Sequence, residues 1–76
     1  MTQIEDKKIQ IAWVEKVLGL TPTTGSLKAW LITYNNEERW GTVLVVDCEA
    51  MNFNTRRTKF FRAFVHQDHV DIQKDY

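Results

Sequence analysis

Apolar residues recur along the first eighteen positions with the period of a helix. Set on a wheel of about 100° per residue, residues 3–18 gather Ile4, Ile9, Ile11, Trp13, Val14, Val17 and Leu18 on one broad side, with Glu5, Lys8, Glu15 and Lys16 opposite. Asp6 and Lys7 interrupt the apolar side in the first turn, where fraying is expected. The ends carry matching signals. "TQIE" at residues 2–5 is a capping box, Gly19 suits a left-handed C-terminal cap, and Pro22 follows as a helix stop. The competing reading is a strand over "KIQIAWV", where Ile9, Ile11 and Trp13 alternate with Gln10 and Ala12; the agreement of both caps favours the helix.

After turn chemistry in "TPTTGS" the period changes. "SLKAWLITY" and "RWGTVLVVDC" are rich in β-branched and aromatic residues and flank "NNEE", which predicts a β-hairpin with a four-residue loop at Asn35–Glu38. In the first strand Leu27, Ala29, Leu31 and Thr33 share one face and Lys28, Trp30, Ile32 and Tyr34 the other. The run Val43–Val46 suits a central strand covered by the helix. "DCEAMNFNTRRT" at residues 47–58 reads as a connecting loop. "KFFRAFVH" then predicts a third strand, with Phe61, Ala63 and Val65 on one face and Phe60, Arg62 and Phe64 on the other; i,i+4 phenylalanine and valine pairs make a helix the alternative. A short strand at Val70–Ile72 or a polar tail ends the chain.

These elements give an α+β fold: an N-terminal helix packed on a three- or four-stranded antiparallel sheet. A small all-β barrel is the alternative, reached if "KIQIAWV" and "VDIQ" are both strands. The 76 residues hold one domain with a small core. Hydrophobic residues at 43% and charged residues at 26% match a globular chain rather than a disordered one.

Charge alters this picture only locally. The formal net charge is zero, so no field of the whole molecule draws it to a polyanion. Residues 26–50 are nevertheless acidic by two and residues 51–76 basic by two, a polarity that could help two copies meet head to tail. Neither a signal peptide nor a membrane span is apparent, and the single cysteine, Cys48, fits a reducing compartment; a cytoplasmic protein with no membrane partner is expected.

The candidate chemistry is sparse. His66 and His69 form HxxH with Asp68 and Asp71 nearby, which would converge on a helix and diverge on a strand or turn; no metal and no cofactor is expected, and the pair reads as surface histidines. Cys48 ends an apolar strand and reads as a small buried hydrophobe. The three glycines form no phosphate loop, and no nucleophile elbow is present, so no enzymatic activity is expected. In size and lack of a catalytic signature the chain resembles many short accessory proteins of bacteria and their mobile elements, a likeness with no motif behind it.

Binding is what remains. The apolar character of both sheet faces, with one helix to cover them, points to an interaction module that binds a protein partner or itself as a homodimer, using Trp30, Tyr34 and Trp40. The stretch "NTRRTKFFR" offers the alternative, a single-stranded nucleic-acid binder. There Arg56, Arg57, Lys59 and Arg62 would meet phosphates while Phe60, Phe53 or Trp40 stacks on bases. Phe60 decides between a binding surface and a solvated connection, according to whether it is exposed beside Arg62.

Overall fold

The computed structural model describes residues 1–21 and 27–74. An N-terminal helix, α1 (Gln3–Trp13), runs into a π-helical turn (Val14–Leu18) and packs on an open, four-stranded antiparallel sheet. The strands are β1 (Trp30–Trp40), β2 (Val43–Asn52), β3 (Thr58–Val65) and β4 (Val70–Lys74), in the spatial order β1-β2-β3-β4. This is the expected α+β arrangement. The sheet does not close, and "KIQIAWV" is helical, so the barrel alternative is overturned.

Both helix signals act as their chemistry dictates. The Thr2 hydroxyl accepts from the Glu5 amide and the Glu5 carboxylate accepts from the Thr2 amide, at 3.1 and 3.0 Å. Gly19 takes φ +65°, the left-handed cap that ends the π-helical turn. The buried side of the helix is narrower than the wheel predicts: Ile9, Trp13 and Val14 are buried, whereas Ile4 and Ile11 are exposed. Asp6 does not fray. Its carboxylate accepts from the Tyr34 hydroxyl and, at 2.9 Å, from the Gln10 amide, so a polar residue on the apolar side bolts α1 to β1.

The hairpin turns differ from expectation in an instructive way. β1 does not stop at Tyr34; it continues through "NNEE" to Trp40 and turns at Gly41–Thr42. Gly41, at φ +64°, occupies the first position of a two-residue turn, where a positive φ excludes most other residues. The polar tetrapeptide is accommodated by a bulge at Asn35, across which the register slips between Tyr34 and Asn36. Residues 47–52 are strand rather than loop: Cys48 and Ala50 point to the core while Asp47 and Glu49 point away, a period-2 alternation of charged and apolar residues from Asp47 to Ala50. The loop shrinks to residues 53–57, braced by the Asn52 carboxamide accepting from the amides of Asn54 and Thr55. β3 is a strand as expected, and β4 extends to Lys74. Of "TPTTGS", residues 22–26 lie outside the described residues.

One face of the sheet receives the helix. Trp13 meets Trp30 edge-on at 5.0 Å between ring centroids and lies 6.0 Å from Phe61. Around them pack Leu44, Val46, Cys48, Ala50, Ala63 and Val65, with Ile32, Tyr34, Val70 and Ile72 at the margin. The Trp13 indole nitrogen is buried without a hydrogen-bond partner among the described residues. No helix among these residues is long and apolar enough to cross a membrane.

Candidate binding surface

The alternation that sends Phe61, Ala63 and Val65 to the helix sends Phe60, Arg62 and Phe64 to the opposite face, which no element among the described residues covers. The pairing extends that face across the sheet. Phe60 lies opposite Glu49 and beside it comes Thr33; Arg62 lies opposite Asp47; Phe64 lies between Val45 and Asp71. Leu31 and Met51 continue it at one end, and Trp40 and Val43 at the other. Leu31, Trp40 and Phe60 are each about half exposed (48%, 50% and 50%). Trp40 stands edge-on to Phe64 at 6.3 Å, while Val45 is only 4% exposed although no element among the described residues lies above the sheet there. Its neighbours on the same face therefore shield it, and the surface has a small core of its own.

The sequence-predicted binding residues divide between the two faces. Trp40, Phe60 and Arg62 belong to the outer surface. Trp30 and Tyr34 belong to the helix side, where Trp30 packs on Trp13 and the Tyr34 hydroxyl is held by Asp6; burial and that hydrogen bond push the Tyr34 hydroxyl well above its ordinary pKa. Lys59 also faces the helix side, its ammonium 5.8 Å from the Trp30 ring centroid. Arg56 and Arg57 are exposed in the β2–β3 turn, with Arg56 at φ +62°, a left-handed conformation unusual for an arginine. The basic stretch is thus dispersed over two faces and one turn. Arg62 itself donates to Asp47 at 2.7 Å.

The charge of the outer surface was not apparent from the basic stretch. Among the described strand residues, Glu38, Asp47, Glu49 and Asp71 all lie on it against Arg62 alone. Along the strands the charge is ordered: Arg56 and Arg57 occupy the turn at one end, Glu38, Asp68 and Asp71 the other. Reading residues 47–52 as strand would have exposed Asp47 and Glu49 as outward positions.

Cys48 is buried at 2% exposure, its thiol 3.5 Å from the Val46 carbonyl, and burial pushes its pKa up to about 12. A thiol so placed is a packing group, as the sequence suggests, and it faces the helix rather than His66 or His69. Those histidines correct a second expectation. Residues 66–69 join β3 to β4 in a turn closed by the His66 amide donating to the His69 carbonyl, so a turn does not make them diverge: it sets them side by side, rings stacked at 4.2 Å and 7°.

No protein-family model, curated protein or solved structure matches this chain.

Proposed function

We propose that the chain is a non-catalytic interaction protein whose interface is the outer face of the sheet, and that its first partner is a second copy of itself. The observation that carries this reading is the uncovered row Leu31, Trp40, Phe60 and Phe64, with Val45 already desolvated within it. Large half-exposed aromatic and aliphatic side chains flanked by charges are the anatomy of an interface core and rim. The order of charges favours self-association. In a two-fold, face-to-face pair with strands antiparallel, the Arg56–Arg57 end of one copy lies over the Glu38–Asp71 end of the other, and the same patch serves both.

Single-stranded nucleic acid is the second reading, favoured by the exposure of Phe60 on the same face as Arg62. Four carboxylates on that face and the Arg62–Asp47 ion pair oppose a polyanion. Sedimentation equilibrium together with titration of single-stranded DNA and RNA separates the two. Self-association predicts a concentration-dependent mass and a dissociation constant raised about thirtyfold or more by Trp40→Ser with Phe60→Ser, the loss expected for interface hot spots. A monomer at all concentrations that binds oligonucleotide, more weakly with Arg56→Ala and Arg57→Ala and with a salt-dependent affinity, establishes the nucleic-acid reading instead.

A further inference from the structure

We infer that the β3–β4 hairpin is a binding site for a divalent transition-metal ion of the zinc class, held by His66, His69 and Asp71. The site follows from strand register. Val65 pairs with Val70, leaving Gln67 and Asp68 as a two-residue loop with His66 and His69 directly opposite each other; the His66 amide donates to the His69 carbonyl at 2.9 Å. Directly opposed residues project from the same face of a hairpin, and Asp71, two residues beyond His69, shares it. Three residues that are spread over the sequence as HxxHxD are therefore brought to one spot by the fold, with all three ligand atoms within 4.8 Å of one another.

The spacing suits an ion. A tetrahedral zinc with bonds of about 2.0–2.1 Å holds its ligand atoms about 3.3–3.4 Å apart. The Asp71 Oδ2 lies 3.1 Å from His66 Nε2 and 3.5 Å from His69 Nε2. Two imidazoles and one carboxylate select zinc, cobalt or nickel over magnesium or calcium, which prefer all-oxygen shells. A fourth position stays open to water.

A fourth side chain prepares the site without touching the ion. Asp68 Oδ1 lies 2.7 Å from His69 Nδ1 and holds the proton there, which leaves the Nε2 lone pair free and directed toward Asp71. This carboxylate–imidazole arrangement fixes ligand tautomer and orientation in metal centres. Loading requires the rings to turn out of their stack, because the ion must lie in the plane of both. They are able to do so by side-chain rotation, being 31% and 53% exposed at the surface of the hairpin.

The test is calorimetric titration of tag-free protein with Zn²⁺, Co²⁺ and Mg²⁺, alongside nitrogen-15 spectra of the histidine rings. One zinc per chain is expected, with no response to magnesium. His66→Ala and His69→Ala should each weaken zinc by about tenfold or more, and Asp68→Ala by ~10–100-fold while also losing the Nδ1–H tautomer of His69. Cys48→Ser should bind as the wild type does. His66, Asp68 and His69 are at the surface, and an unchanged circular-dichroism spectrum confirms folding of each variant. Zinc binding that is undetectable, or that is equal in wild type and in the His66→Ala, His69→Ala double variant, overturns the site.

Discussion

On the helix side of the sheet, β2 and β3 present Val46, Cys48, Ala50, Phe61 and Ala63, none more than 2% exposed; on the outer side the intervening positions are Val45, Asp47, Glu49, Phe60, Arg62 and Phe64. Phe60 and Phe61 are neighbours in sequence with the same side chain, yet one is 50% exposed and the other 2%. The difference comes from α1 and the π-helical turn that continues it, which shield one face of the pleat. Helix-side residues therefore build the core that holds the chain folded, and outer residues form the exposed face of the sheet.

The sharpest way to break that division is to truncate each phenylalanine in turn. Phe61→Ala should cost about 3–5 kcal/mol in denaturant unfolding, enough to unfold much of a domain this small. Phe60→Ala should change the stability of the monomer by about 1 kcal/mol or less while weakening self-association. Equal losses for the two would erase the distinction between the faces.

Alkaline pH probes the helix side from within. Burial raises the pKa of Cys48 from 9.0 to about 12 and raises that of Tyr34 above its ordinary 10.0, so both hold their protons more tightly in the folded chain than in the unfolded one. Their contribution to stability is complete below about pH 9 and is lost as pH rises from there through the folded values. Denaturation midpoints from about pH 8 to about pH 11 should fall, and less steeply in Cys48→Ala. Over the same range below pH 9, a thiol reagent should react with Cys48 only as fast as the chain opens.

Smaller effects sharpen the boundary between the faces. Tyr34→Phe removes the hydroxyl that ties β1 to Asp6 and should cost about 1 kcal/mol, with association unchanged. Arg56→Gly relieves a left-handed arginine but adds backbone freedom, so stability should stay within about 1 kcal/mol of wild type. Association should nevertheless weaken, because the variant loses a charge from the basic end of the surface; sedimentation reports it.

Most of the fold was legible in the sequence because its signals are local. Thr2, Glu5 and Gly19 mark the helix by their own hydrogen bonds and dihedral angles, and Phe60 through Val65 alternate as a strand facing both ways. What was hidden depends on pairing. "NNEE" has the composition of a loop, but β2 offers it a partner and the bulge at Asn35 absorbs the mismatch; Gly41, six residues on, holds the dihedral that turns the chain. Asp47 and Glu49 mask a strand by being polar on its outward half. The histidine cluster was legible only once the hairpin register was known, since HxxH on an extended strand places its two rings on opposite faces.

The proposed interface is the outer face of the sheet and excludes the helix side. Amide chemical shifts followed by two-dimensional NMR over a dilution series test it residue by residue. Self-association through the outer face predicts concentration-dependent shifts at Leu31, Trp40, Val45, Phe60, Arg62 and Phe64, with Ile9, Trp13 and Val17 unmoved. Spectra that do not change on dilution, or changes centred on α1, would contradict it.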